Sequence, residues 1–279
     1  REVNINGQSL PRSDMAGDAS ASVETTFTFH VLPGSLKSLK EKKAQELLSK
    51  WNLDVHMQAH SFRYDQHLTP PQLEAFLHDF FNDPTVQSTA PVCTGRQAGS
   101  WGPMGSVSSI KKERMSTSVV RLDFFDRLES EEIGIVRTGC IAKCLDVPCG
   151  EMVIASDKLR VMLLDEASEE WDVFSAQERR ELIFHILARL AIGGGLNQYE
   201  DQIEPYLTMT KALYKDLVAV QKDGAGQLHV RSIALNVLEA SGSESALFPS
   251  ASKHNFCYLT IDPLQRHVRY WYSAYFSMM

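Results

Sequence analysis

The amino-acid sequence predicts an α+β protein in which central helices pack on a mainly antiparallel sheet. Apolar residues recur at helical spacing in the middle of the chain, most clearly in SAQERRELIFHILARLAIGGG. The last third changes to the two-residue period of strands separated by short turns. Because helical and strand segments are grouped along the chain and do not alternate, an α+β fold with a C-terminal β-meander is favoured.

The bulk composition limits the classes of function. The 279 residues fit one large domain, and 43% hydrophobic with 23% charged residues is ordinary for a globular protein. A net charge of -7 argues against a nucleic-acid binder, because phosphate contacts need clustered Lys and Arg. No apolar run is long enough to span a membrane. The polar N-terminus and five unpaired cysteines predict free thiols in a reducing compartment.

The N-terminal part of the chain combines a tail, alternating strands and helices, and a loop. Residues 1–24 are rich in Ser, Ala, Asp and Gly and predict a disordered tail, and residues 25–279 predict a single globular domain. TFTFHVL and VHMQAHSFRY are typical of strands, while SLKSLKEKKAQELLSKW and PPQLEAFLHDFF are typical of helices. Residues 82–115 are dense in Gly, Pro, Ser and Thr and predict a long flexible loop.

The middle of the chain predicts a strand followed by three helices. GIVRTGCIAKCLDV is read as one strand and SDKLRVMLL as a short helix. Ser175 and Glu178 have the spacing of a capping box, which predicts the start of a helix that Gly193 ends. A further helix begins near Glu204 or Pro205.

Two pairs of strands are predicted at the C-terminus. DLVAVQKDGAGQLHVRSIALNVLEA predicts strands joined at Asp223-Gly224, and NFCYLTIDPLQRHVRYWYSAYF predicts a pair with a turn at Asp262-Pro263.

Cys140, Cys144 and Cys149 suggest either a metal site or buried thiols. On a strand, Cys140 and Cys144 lie about 13 Å apart, whereas two ligands of one zinc lie within about 4 Å of each other. Buried thiols are therefore favoured, since free cysteine is among the most often buried residue types. A zinc-stabilised domain of unknown activity is the alternative, and no cofactor is expected.

Other candidate catalytic groups have simpler structural explanations. GGGLNQ lacks the Lys and Ser/Thr of a phosphate loop and is better explained as a helix C-cap. His56 and His60 are expected to be surface or interface histidines. Glu200, Asp201 and Glu204 include paired carboxylates that would suit acid–base chemistry, but Asp201 and Glu204 also have capping spacing. No nucleophile elbow or dinucleotide fingerprint is present, so the sequence predicts a protein that is not an enzyme.

Aromatic residues are the candidate protein-binding groups. Tyr and Trp are enriched at interface hot spots. The candidates are Trp101, in the predicted loop, and Tyr270, Trp271, Tyr272, Tyr275 and Phe276, in RYWYSAYF. The alternative for the C-terminal group is a strand buried on both faces, and the sequence favours neither reading.

The order of several motifs resembles that of a known family. KCLD at residues 143–146 is followed by ASDKLRVMLL, FSAQERRELIF, GGGLNQYEDQIEPYL and TKALYKDLVAV, and LTIDPLQRHVRYWY stands near the end. This order resembles the cilia- and flagella-associated protein 300 family, most closely over residues 135–220 and 258–272. The tail and residues 82–115 do not match the family's pattern.

The resemblance implies a non-enzymatic adaptor or assembly factor. Such a protein would act in the cytoplasmic preassembly of outer and inner axonemal dynein arms and in their delivery by intraflagellar transport. Its implied partners are axonemal dynein chains, PIH-domain assembly factors of the Kintoun type and the intraflagellar transport machinery, with no nucleic acid or membrane. Its implied location is the cytoplasm and the axoneme of the cilium or flagellum. A structural protein docked on the axoneme is the alternative.

Overall fold

The computed structural model describes residues 26–34, 36–95, 100–150, 153–243 and 246–275. The predicted tail at residues 1–24 lies outside these residues, so its disorder stays a prediction. No helix within the described ranges is long and apolar enough to cross a membrane.

The helices of the described residues lie mostly in the middle of the chain. They are α1 (Lys42–Lys50), α2 (Leu73–Asn82), α3 (Pro84–Thr89), α4 (Lys158–Leu164), α5 (Leu182–Ile192) and α6 (Glu204–Leu217). Short 3-10 helices occur at Lys37–Lys40, Pro70–Gln72, Leu122–Glu129, Glu169–Val173 and Glu178–Arg180.

The strands form one large sheet and several two-stranded ribbons. They are β1 (Phe29–Val31), β2 (Met57–Tyr64), β3 (Val92–Cys93), β4 (Trp101–Gly102), β5 (Ser109–Met115), β6 (Val136–Arg137), β7 (Cys140–Ile141), β8 (Lys143–Pro148), β9 (Ile154–Asp157), β10 (Val220–Lys222), β11 (Leu228–Val230), β12 (Ile233–Ser241), β13 (Phe256–Asp262) and β14 (His267–Ser273).

The large sheet has six strands in the order β1-β2-β14-β13-β12-β5. Every neighbouring pair in it is antiparallel. Strands β12, β13 and β14 are neighbours in both sequence and space, as a meander requires, and β2 and β5 flank them. The predicted α+β class, with a mainly antiparallel sheet and a C-terminal meander, is confirmed.

A hydrophobic core lies on each face of this sheet. The small core contains Phe76, Leu77 and Phe80 of α2, and the large core contains buried residues of α1, α4, α5 and α6. Strand β14 contributes to both, because Tyr270 faces the small core and Trp271 faces the large core. Alternating side chains of the same strands therefore hold the two cores together.

Helix α5 lies at the centre of the large core and ends where the sequence predicts. Gly193 is its C-cap with φ +63, and its N–H donates to the carbonyl of Arg189. A Cβ at Gly193 would lie 2.6 Å from the carbonyl oxygen of Trp51, so only glycine fits. The prediction of a glycine C-cap in place of a phosphate loop is confirmed.

The start of this helix differs from the prediction. The capping box forms, because the Ser175 backbone N–H and hydroxyl donate to Glu178 and Ser175 Oγ accepts from the Glu178 N–H. It opens only the 3-10 helix Glu178–Arg180, and α5 begins at Leu182. Glu181 lies between them in an extended conformation, and its buried carboxylate accepts hydrogen bonds from Ser116 and Ser118.

Residues 82–115 correct the prediction of a long loop. Asp83 accepts hydrogen bonds from the backbone of Thr85 and Val86 and starts α3, with Pro84 in the first turn. Strands β3 and β4 pair with each other, and β5 is an edge strand of the large sheet. SIKKERM shows little strand periodicity because an edge strand buries few side chains. GIVRTGCIAKCLDV is likewise not one strand, because β6 and β7 form a hairpin before β8.

Candidate functional site

The predicted aromatic site on β14 is part of the core. Tyr270, Trp271 and Tyr272 are 2%, 0% and 0% exposed. Strand β14 has β2 on one edge, β13 on the other and a core on each face, so residues 270–273 are shielded from solvent. The prediction of an exposed aromatic patch at these three residues is corrected in favour of the alternative, a strand buried on both faces.

Trp101 and Tyr275, the other described candidates, pack against different residues. Trp101 is half-buried on β4, and its ring centroid lies 6.0 Å from that of Tyr272. Tyr275 is half-buried, 4.9 Å from the ring of His254, and it covers Gly195, where a Cβ would meet the tyrosine hydroxyl at 2.4 Å. Phe276 lies outside the described residues. The described aromatic residues therefore form no common surface.

The three clustered cysteines have different environments. Cys140 is exposed, Cys144 is half-buried and Cys149 is buried, so the prediction of buried thiols is confirmed for Cys149, only partly met by Cys144 and wrong for Cys140. Burial raises the pKa of the Cys144 and Cys149 thiols, which keeps them protonated and weakly nucleophilic. Within the described ranges, no three His, Cys, Asp or Glu side chains come together in a way that could hold a metal ion.

The acidic segment that follows α5 has a structural role at Glu200. Glu200 is 8% exposed, and its carboxylate accepts hydrogen bonds from Lys50 Nζ at 2.8 Å and Trp51 Nε1 at 3.0 Å. The backbone N–H of Glu200 donates to Tyr206 Oη at 3.2 Å. All three contacts tie the segment to α1 and α6, so the sequence candidate for acid–base chemistry is a packing residue.

Its neighbour Asp201 joins two motifs that are distant in sequence. Asp201 Oδ1 lies 2.7 Å from Lys143 Nζ, and this hydrogen bond lowers the pKa of the Asp201 carboxyl. Its carbonyl accepts from the Ile141 N–H at 2.8 Å. The capping role considered for Asp201 and Glu204 does not form, because Ile203 is the N-cap of α6 and has no side-chain hydrogen bond.

A buried ion pair packs against the segment that follows α5. Arg160 is 1% exposed and pairs with Asp157, and Nη1 donates to the carbonyl of Ala191 at 3.1 Å. Its guanidinium lies 3.3 Å from the ring centroid of Tyr199. The sequence predicts no special role for Arg160 or Asp157, because two charged residues three positions apart give no sign that both are buried.

Exposed aliphatic side chains occur on both segments that the Lys143–Asp201 pair joins. Leu145 is 90% exposed on β8, two residues after Lys143, and Leu196 is 77% exposed in the loop before Asp201. We call Leu145, Leu196 and the Lys143–Asp201 pair the junction surface. Single exposed leucines are common on proteins, but side chains this exposed are available for contact with another protein.

Comparison with known proteins identifies relatives along nearly the whole chain. A family model described as cilia- and flagella-associated protein 300 matches residues 26–273. A protein of Chlamydomonas reinhardtii with that name is 35% identical over 256 residues, which cover 90% of this chain and 98% of the relative. A protein of Paramecium tetraurelia with the same name is 33% identical over 234 residues, covering 82% and 86%. No solved structure matches the chain.

Proposed function

Because the chain belongs to the cilia- and flagella-associated protein 300 family, we propose that it is a non-enzymatic adaptor and assembly factor for axonemal dynein arms. It acts in the cytoplasmic preassembly of outer and inner arms and in their delivery by intraflagellar transport. The observation that carries the proposal is the family match over residues 26–273. That match supports a role connected with cilia and flagella, and the dynein-specific part is our proposal.

The proposed partners are axonemal dynein chains, PIH-domain assembly factors of the Kintoun type and the intraflagellar transport machinery. The protein is proposed to reside in the cytoplasm and in the cilium or flagellum. Contacts between proteins require exposed groups, and the aromatic residues of β14 are buried. The junction surface, with Leu145 at 90% and Leu196 at 77% exposed, is a more accessible candidate for a partner contact.

The test is affinity capture of the tagged protein from separate cytoplasmic and axonemal fractions of a ciliated cell, with bound proteins identified by mass spectrometry. We expect dynein chains or PIH-domain factors to be recovered from the cytoplasmic fraction. Recovery only with salt-resistant axonemes would contradict the adaptor role and would favour a structural protein docked on the axoneme.

Matched variants test the contribution of the junction surface. Leu145→Glu with Leu196→Glu is expected to reduce recovery of the partners, because each change places a carboxylate at an apolar contact. Leu264→Glu is the control, since Leu264 is 72% exposed and lies between β13 and β14. Equal recovery of the partners by all variants would show that the junction surface does not contact them, and it would not contradict the adaptor role.

A further inference from the structure

A separate groove runs between the segment at residues 120–123 and helix α6. It has a volume of about 290 Å³. Its apolar lining comes from Val120, Leu122 and Ile183, together with the ring of Tyr214. Ile183 and Tyr214 are buried core residues, whereas Val120 and Leu122 are half-buried. Apolar surface is therefore accessible in the groove, mainly at Val120 and Leu122.

The rim of the groove is positively charged. Arg121, Lys211 and Lys215 line it and are exposed. Among its lining residues, Asp123 is the one acidic group, and its carboxylate lies 3.3 Å from Arg121 Nε. Lys211 and Lys215 are four residues apart on α6, so they project on the same side of the helix. Neither lysine has an ion-pair partner among the described residues.

The wall of the groove is fixed before anything binds. Tyr214 Oη donates to the carbonyl of Val119 at 2.9 Å, and burial raises the pKa of this phenol, which keeps it a donor. The Val119 N–H and the Ser116 hydroxyl donate to the buried Glu181 carboxylate at 3.3 and 2.6 Å. Because both backbone groups of Val119 are already hydrogen-bonded, a ligand does not have to order this wall. The entropic cost of binding is therefore smaller.

We propose that this groove binds an acidic segment of a partner protein. One large apolar side chain of the segment lies against the apolar lining, chiefly Val120 and Leu122, and flanking carboxylates lie beside Lys211 and Lys215. The charge argument is local complementarity: Lys211 and Lys215 have no ion-pair partner within the described part of the chain, on a protein whose net charge is -7. The groove, at about 290 Å³, is large enough to take one large apolar side chain.

The proposal is tested with the purified full chain and peptides, independently of any role in dynein assembly. A phage-displayed library of random 12-residue peptides is selected on the wild-type protein. Affinities of the enriched peptides are measured by fluorescence polarisation. Lys211→Glu with Lys215→Glu is the groove variant. Lys40→Glu with Lys43→Glu is the control of equal charge change, at exposed lysines before and within α1.

We expect the enriched peptides to carry an apolar residue between Asp or Glu residues. The groove variant is expected to bind them at least about tenfold more weakly, and the control variant as well as wild type. Replacement of the peptide's apolar residue by Ser is expected to cause a similar loss, and added NaCl to weaken binding.

Three results would overturn the proposal. The first is that the enriched peptides lack acidic residues, or that the binding of none of them depends on Lys211 and Lys215. The second is equal affinity for 12-residue polyglutamate, which would show charge attraction without an apolar anchor. The third is equal loss in both lysine variants. Thermal melting of each variant, followed by circular dichroism, establishes that the lysine changes leave the protein folded.

Discussion

Tyr270 and Tyr272 lie two residues apart on the same buried face of β14, and their hydroxyl groups have different surroundings. Tyr272 Oη donates to the carbonyl of Leu247 at 2.8 Å and accepts from the Cys93 N–H at 3.2 Å. Tyr270 Oη is buried and has no hydrogen-bond partner among the described residues. The two rings are stacked with centroids 5.7 Å apart, so they form a matched pair for mutation.

We predict that Tyr272→Phe lowers the free energy of unfolding by about 1–3 kcal/mol, because two buried backbone groups lose their partner. Tyr270→Phe is expected to leave the free energy within about 0.5 kcal/mol or to raise it, because it removes an unpaired hydroxyl. Urea denaturation followed by circular dichroism measures both. Equal losses in the two variants would contradict the hydrogen-bond assignment.

His185 makes the stability of the protein sensitive to mild acid. Arg189 Nε donates to Tyr258 Oη at 2.8 Å, and the same hydroxyl forms a 3.2 Å hydrogen bond with His185 Nδ1. Burial, followed by the neighbouring Arg189 charge, lowers the pKa of His185 from 6.5 to about 3. The folded state therefore favours the neutral imidazole.

The sign of the effect follows from these two pKa values. As the pH falls below 6.5, His185 becomes protonated in the unfolded chain, whereas in the folded protein it stays neutral until about pH 3. Stability is thus fully present above pH 6.5 and is lost as the pH falls. Between pH 7 and 5 we expect wild type to lose up to about 2 kcal/mol more than His185→Gln. Urea denaturation at the two pH values measures this difference, and parallel losses in both proteins would refute it.

Among the elements, the β10–β11 hairpin contributes little to the fold. Residues 220–229 are exposed, and at its base the Arg231 N–H donates to the carbonyl of Ala219 at 3.0 Å. A two-residue β-turn placed between Ala219 and Arg231 would use this same hydrogen bond to close the hairpin.

We predict that replacing residues 220–230 by Asn-Gly changes the free energy of unfolding by less than about 1 kcal/mol, because only the half-buried Val230 leaves the core. A matched control shortens the β3–β4 hairpin, whose Val92 and Cys93 are buried, and is expected to cost several kcal/mol. Denaturant titration of both variants measures the contrast. A loss above about 2 kcal/mol in the first variant would show that the hairpin supports the fold.

Element prediction from the sequence succeeded where a periodic face is buried. Helix α6 and strands β12, β13 and β14 follow the apolar pattern closely, since each packs against a core. The pattern failed for residues 82–115, where α3 has only six residues and β5 lies at an edge of the sheet. There the structure depends on single contacts, such as the Asn82 side chain bonding both backbone groups of Val107.

At the scale of the whole molecule, sheet order determines which candidate residues reach solvent. The sequence of β14 predicts a strand but does not state whether that strand is central, and its central place between β2 and β13 is what buries Tyr270, Trp271 and Tyr272. The groove beside Lys211 and Lys215 was not predicted either, because its two walls lie about ninety residues apart in the chain. Both failures concern long-range neighbours, which local periodicity does not encode.

The shared sheet also predicts how the molecule unfolds. Strands β12, β13 and β14 send alternate side chains into the small and large cores. Loss of these strands would therefore disrupt both cores at once, and neither core can unfold alone. We therefore expect one calorimetric transition whose enthalpy equals the van't Hoff enthalpy, as for a single domain. Leu77→Ala in the small core and Leu187→Ala in the large core each remove a fully buried side chain. Each is expected to cost about 2–5 kcal/mol and to lower the midpoint of that one transition. Two transitions, each moved by one variant alone, would instead mean that the cores unfold as separate units despite their common strands.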